Sequence, residues 1–257
     1  MKITKIFKRH KKPNYMNFLI QMKNSGYQLK TVYDIGAFKG EWSATLKKYY
    51  QNVEIILFEG NPAYNEILSN SGFRFFSNVL SNPGREYVDF YNGTNSGDSY
   101  YKETTKHYDN QRSIKLQSCT LDSIIKKQDL PWPNFIKIDT QGSELDILQG
   151  AELILNYVDL IYVECPIIKY NEGAPNISAY LEFFKSKNFI PVDIFEIHRS
   201  ENTLLQIDIM FIRYDTKLKY LGSFENITPD FSESTIFWTT TANRLSTLST
   251  PNPFFFL

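Results

Sequence analysis

Short apolar, β-branched runs alternate along the chain with longer segments whose apolar residues recur at helical spacing. Strand-length runs between amphipathic helices form βαβ units around a mostly parallel sheet. The pattern predicts strands at Thr31 to Ile35, Val53 to Phe58, Phe73 to Asn78, Phe135 to Ile138, Leu160 to Glu164, Ile190 to Phe195 and Leu205 to Arg213. Helices are expected near Tyr15 to Ser25, Glu41 to Tyr50, Pro62 to Asn70, Ser143 to Leu155 and Ile177 to Lys187. "PVDIFEIHRSENTLLQIDIMFIR" breaks the rhythm, because two strand-like runs flank a short polar turn with no room for a crossover helix. It reads as an antiparallel hairpin, which makes one strand of the sheet run backwards. The fold class expected is therefore α/β and Rossmann-like, with helices on both faces.

Residues 85–119 interrupt the alternation. "REYVDFY" and "SIKLQSCTL" read as two antiparallel strands joined by a long polar segment containing Tyr91, Tyr100, Tyr101 and Tyr108. Such a loop inside a domain has a task or is disordered. Its tyrosines beside Asn, Asp and Thr suit a sugar, and a merely mobile loop is the plainer alternative. After Tyr214 the pattern fades into a polar stretch closed by "PFFFL", an apolar end expected to dock on the domain or on a second subunit as a homodimer contact. Three regions follow: a basic segment and helix at 1–29, the main domain at 30–213, and a C-terminal extension at 214–257.

The 257 residues, 42% apolar and 16% aromatic, suffice for a full core. Twenty-eight basic residues balance twenty-eight acidic ones, which excludes a general nucleic-acid binder. The balance is uneven, because Lys2, Lys5, Lys8, Arg9, Lys11 and Lys12 crowd the first twelve residues and leave a net charge of −6 on the remainder. That head suits a peripheral contact with an anionic membrane surface or anionic carrier, against the plainer reading of a solvated terminus. No apolar run reaches bilayer length and no signal-type apolar stretch follows the basic head, so the chain reads as cytoplasmic. Cys119 and Cys165 lack metal-knuckle or redox spacing and read as buried apolar residues.

The chemistry gathers at the strand ends. In "DIGAFKG", Gly36 permits a sharp turn and Gly40 precedes a helix start, while Phe38 stands where a dinucleotide fingerprint needs glycine. Asp34 would repel a pyrophosphate and attract an ammonium, such as that of the methionine part of S-adenosylmethionine. Glu59, in "LFEGNP", lies on the next strand end, where an acid accepts the hydroxyls of a ribose. In "FIKIDTQGSELDILQGA", Asp139 points toward the same crevice, with a helix-start role as its alternative. Glu144 reads as a first-turn helix charge.

Together "DIGAFKGEWS", "LFEGNP", "CTLDSI", "IKIDTQGSELDILQGA" and "QIDIMFIR" resemble the FkbM family of S-adenosylmethionine-dependent methyltransferases, over about residues 30 to 213. The resemblance implies a class I methyltransferase fold and methyl transfer, in many members to a hydroxyl of a sugar or another secondary metabolite. It implies Asp34, Gly36, Ala37 and Gly40 as the methionine-side loop, Phe38 within it, Ser43 near the carboxylate, Glu59 at the ribose, and Asn78, Val79 and Leu80 flanking the adenine. Two positions depart from the family. Phe38 replaces a more usual Asn, and "DTQG" replaces Asp-Val-Glu-Gly, which removes an acid and weakens a carboxylate-bound metal; no metal site is read from the sequence.

Transfer to an unactivated hydroxyl needs alignment and a base. Asp139 is the leading candidate, followed by Glu164 at the end of "IYVEC". His198, assigned to the hairpin turn, and His107, in the tyrosine loop, come after. A glycan or small-molecule acceptor is expected. The open alternative is a catalytically silent module on the same fold that recognises a glycan or a protein partner.

Overall fold

The computed structural model describes residues 14–92, 97–105 and 112–222. The basic head, His10, His107, Tyr108 and the "PFFFL" end lie outside them. The chain divides into two units, Met1–Leu221 and Gly222–Leu257, and all elements below belong to the first.

Helix α1 (Tyr15–Asn24) opens the described chain, with Asn14 capping it by accepting from the Met16 amide at 2.7 Å. Then come β1 (Thr31–Ile35), α2 (Glu41–Tyr49), β2 (Glu54–Glu59), a short 3₁₀ turn at Pro62–Tyr64 leading into α3 (Asn65–Ser69), and β3 (Arg74–Ser77). A side element follows, built from β4 (Val79–Leu80), β5 (Tyr87–Asn92) and β6 (Arg112–Cys119). The main alternation resumes with α4 (Leu121–Gln128), β7 (Phe135–Ile138), α5 (Glu144–Gln149), β8 (Leu160–Pro166), α6 (Ile177–Ser186), β9 (Phe189–Ser200), β10 (Thr203–Arg213) and α7 (Tyr214–Leu221).

The large sheet has the order β3-β2-β1-β7-β8-β10-β9. β1, β2, β3, β7 and β8 pair in parallel, whereas β10 is antiparallel to both β8 and β9. This is the Rossmann-like doubly wound sheet with a reversed strand slotted in next to its edge, as the hairpin pattern predicts. The reversal of order lies between β1 and β7, the place where such sheets open a crevice at their strand ends.

Strand alternation sorts the core into two layers. Tyr33, Ile35, Ile136 and Ile138 face α4, α5 and α6, where Leu121, Ile124, Leu145, Tyr180 and Phe184 are buried. Val32 and Phe135 face the other way, against Met16, Leu19 and Met22 of α1, Leu46 of α2 and Leu68 of α3. The period-2 rule then places Asp34 and Lys137 on the α1/α2 side, and register makes them direct neighbours across β1 and β7.

Three elements were missed by pattern. α4 carries its own start signal, Thr120 accepting from the Ser123 amide at 3.2 Å, but its eight residues are shorter than the periodicity window. α7 continues directly from β10 where periodicity looked spent. β4 is two residues long and held by pairing with β6.

β5 and β6 form the expected antiparallel pair. Of the tyrosines expected to suit a sugar, Tyr100 and Tyr101 have the Arg85 guanidinium over their rings, at 5.1 and 5.9 Å. The Tyr100 and Tyr101 hydroxyls both donate to Asp146 Oδ2 of α5, at 3.1 and 2.9 Å, and Arg85 reaches the same oxygen at 3.3 Å. They pin the side element to the domain. Among the described residues no helix is long and apolar enough to cross a membrane.

Candidate active site

The first strand–helix turn is shaped by close approach. A Cβ on Gly36, at φ +73°, would stand 1.8 Å from the Asp139 carbonyl oxygen, so only glycine allows the β1 and β7 ends to meet. Phe38 is itself left-handed, at φ +50°. That conformation suits Asn or Gly far better than a bulky residue, which gives a physical reason for the Asn more usual there. Phe38 is held by its amide, which donates to Glu59 Oε2 at 2.8 Å, and by its ring, which packs edge-on against Tyr64 at 4.6 Å.

Two cavities open at the strand ends. The first is an open cleft lined by Gly36, Phe38, Glu59, Asn78, Val79, Leu80 and Tyr100, among others. The second is an open cleft lined by Ala37, Trp42, Lys137, Tyr162, Glu164, Glu196, His198 and Asp208. Gly36, Phe38 and Asp139 belong to both walls.

In the first cavity Glu59 is clamped by backbone, Oε2 by the Phe38 amide and Oε1 by the Asn61 amide at 2.8 Å. Burial nevertheless pushes its carboxyl up to about 7, the two amides opposing the shift. Asn61 is fixed in turn, donating to Asp98 Oδ2 at 2.7 Å.

Asp34 lies beneath the turn and lines neither cavity. It is fully buried, with Ser43 donating to Oδ2 at 2.7 Å and Lys137 Nζ standing 3.2 Å from Oδ1. The same ammonium donates to the Gly36 carbonyl at 3.0 Å and sits 3.8 Å from Asp139 Oδ2. These acids outweigh desolvation and raise the Lys137 pKa. A buried pair of this kind is tolerated because each charge compensates the other.

Asp139, with 42% of its side chain exposed, stands at the junction of the cavities. Gln141, at φ +54°, donates to Asp139 Oδ1 at 3.0 Å and to Glu164 Oε1 at 3.1 Å, bridging two acids. Glu144 is a turn clamp, accepting from the Thr140 and Gly142 amides and from the Tyr180 hydroxyl.

The second cavity is electrostatically unbalanced. Burial, then Asp139 and the other acids, push the Glu164 carboxyl well above its ordinary value. Burial and Asp139 likewise raise Asp208 to about 6, although Tyr162 donates to its Oδ2 at 3.0 Å. His198 lies within β9 and not in the turn, and its Nε2 reaches into this cluster, 3.6 Å from Asp208 Oδ1 and from Glu196 Oε2. Among the described residues Lys137 is the one lysine or arginine on this wall, and it is already engaged by Asp34.

Sequence reading brought out Asp139, Glu164 and His198 and missed Lys137, Gln141, Tyr162 and Asp208. A signal existed for two of them, because Lys137 in "FIKI" and Asp208 in "QIDIMF" are charges inside apolar strands, which bury only with partners.

The sheet order, the tight β1–α2 turn against β7 and an acid at the end of β2 define a class I methyltransferase, whose methyl donor is S-adenosylmethionine. The chain belongs to the FkbM methyltransferase domain family, whose model matches residues 34–191. A curated relative, the hexuronic acid methyltransferase AglP of Haloferax volcanii, is 25% identical over 116 residues. The match takes in 43% of this chain and 46% of that protein, so it spans less than half the length of the relative. Similar solved structures include the precorrin-6y C5,15-methyltransferase of Geobacter metallireducens, with a TM-score of 0.42, 11% identity and coverage of 82% of this chain and 92% of that one. The magnesium protoporphyrin IX methyltransferase of Synechocystis, with bound S-adenosylmethionine, has a TM-score of 0.42, 8% identity and coverage of 77% of each chain.

Proposed function

We propose that this protein transfers the methyl group of S-adenosylmethionine to a hydroxyl of a sugar, glycan or glycosylated metabolite. The observation that carries the reading is the meeting of the two cavities at Gly36, Phe38 and Asp139. Adenosine occupies the first, with Glu59 accepting the ribose hydroxyls and Asn78, Val79 and Leu80 beside the adenine. The methionine part follows the Gly36–Ala37 turn toward the start of α2, whose capping residue Gly40 has no side chain to bond the first-turn amides and so leaves them for a carboxylate. Asp34 serves from below, with Ser43, by holding Lys137 and through it the Gly36 carbonyl.

The acceptor enters the second cavity. Trp42 and Tyr162 line it, each stacked on Tyr15 at 5.7 and 5.4 Å, and these two rings suit a sugar. Five acids, Glu41, Asp139, Glu164, Glu196 and Asp208, beside an engaged lysine would repel an anionic acceptor and accept bonds from neutral hydroxyls. This favours a hydroxyl over a uronate carboxylate, although the Haloferax relative is a hexuronic acid methyltransferase. Asp139, fixed by Gln141 and facing both cavities, takes the proton as the oxygen–methyl bond forms and the sulfonium leaves as a neutral thioether.

Labelled S-adenosylmethionine offered with neutral and uronate glycans tests this. Transfer to a neutral sugar is expected, falling about 100-fold in Asp139→Asn while affinity for S-adenosylhomocysteine holds within about threefold. Absence of S-adenosylhomocysteine binding would sink the cofactor assignment. Tight binding without transfer to any glycan would instead favour a silent binding module.

A further inference from the structure

The second cavity holds a convergence that methyl transfer does not require. One side-chain ligand atom each from Glu164, His198 and Asp208 lies within 4.8 Å of the other two. They come from three adjacent strands, and register explains the meeting: Asp208 pairs directly with Glu164, and His198 with Gln206, two residues before Asp208. Carboxylates gathered on a surface would mean little. Here an imidazole shares the cluster, Glu164 is 8% exposed, and Asp208 Oδ1 is fully shielded from solvent yet accepts no hydrogen bond. Its nearest positive group is the His198 imidazole at 3.6 Å, beyond hydrogen-bond reach, and a buried anionic oxygen without a hydrogen bond is costly unless something of opposite charge meets it.

The residues behind the three are arranged as supports. Tyr162 donates to Asp208 Oδ2, leaving Oδ1 without a hydrogen bond, while Gln141 and Gln206 donate to the two oxygens of Glu164. All of these donors are neutral, so they orient the carboxylates without cancelling their charge. The cavity wall carries all three residues, which gives an ion a path in from solvent.

We propose that Glu164, His198 and Asp208 form a divalent cation site on the wall of the second cavity. Two carboxylate oxygens and one imidazole nitrogen suit a divalent first-row cation that accepts mixed oxygen and nitrogen donors, and Mn²⁺, whose spectrum reports binding, serves as the probe. The site is read from the protein alone and stands whether or not the acceptor is a sugar. A cation there would offset the surplus of acids and polarise an oxygen of whatever molecule fills the cavity.

Titration of the full chain with Mn²⁺, followed by loss of the free-ion electron paramagnetic resonance signal, tests the site. One saturable Mn²⁺ per chain is expected, bound at least about tenfold more weakly in Asp208→Asn and in His198→Ala. Pulsed spectra of the bound ion should show coupling to one imidazole nitrogen, lost in His198→Ala, a variant of a half-exposed strand residue that leaves the core untouched. If Asp208→Asn fails to fold, by circular dichroism, the histidine variant carries the test. No saturable binding below about 1 mM, or binding without nitrogen coupling, overturns the proposal.

Discussion

The two cavities share a wall and differ in how their polar groups are satisfied. In the first, Glu59 has both oxygens clamped by backbone amides, and the turn residues around it fix one another. In the second, Asp208 Oδ1 accepts no hydrogen bond and has only the His198 imidazole near it at 3.6 Å, Glu164 is propped by amide side chains, and the wall's lysine is engaged below. The first is complete before its ligand arrives; the second holds unspent charge. Under the proposed assignment a class-wide methyl donor would fit a prebuilt socket, whereas an acceptor would be selected by what the protein leaves unsatisfied.

That contrast breaks most severely at the element beneath both cavities. Lys137→Met should strand the buried Asp34 charge and cost about 3–5 kcal/mol, enough to unfold a marginal domain, read by urea denaturation. A loss under about 1 kcal/mol would mean that the ion pair does not hold the turn.

Next in size is Glu59→Gln. It should weaken S-adenosylhomocysteine binding by about 2–3 kcal/mol in calorimetry, while binding to the second cavity, read by Mn²⁺ titration, stays within about twofold. Equal losses at both would erase the distinction between the cavities.

The same residue predicts a pH response. A carboxyl raised from its ordinary 4.5 to about 7 in the folded protein binds its proton more tightly folded than unfolded. Its stabilising contribution is present below about pH 4.5 and is lost as pH rises toward and through 7, by up to about 3 kcal/mol. Cofactor affinity should move the opposite way, rising over that window as Glu59 ionises to accept ribose hydroxyls. Glu59→Gln should flatten the stability profile, read as Tm against pH.

The smallest effect is expected from Tyr162→Phe, about 1–2 kcal/mol in thermal denaturation, because it removes the one hydroxyl that satisfies Asp208 Oδ2. S-adenosylhomocysteine affinity should not change. A shift there would show that the cavities communicate through their shared wall.

The sequence by itself determined the parallel sheet, its reversed strand and the cofactor-side turn, because each is local. Periodicity is set by the residues within one element, and Gly36, Phe38 and Glu59 act within a few residues of a strand end. Asp139, Glu164 and His198 could be named and ranked as strand-end or near-turn candidates, but not placed against one another. Tertiary structure alone decided that Lys137 consumes Asp34, that Gln141 bridges Asp139 and Glu164, and that Asp208 faces both Glu164 and His198. These contacts depend on register between strands far apart in the chain. A one-residue slip in register would turn each of these side chains to the opposite face, and no spacing within a single segment encodes it.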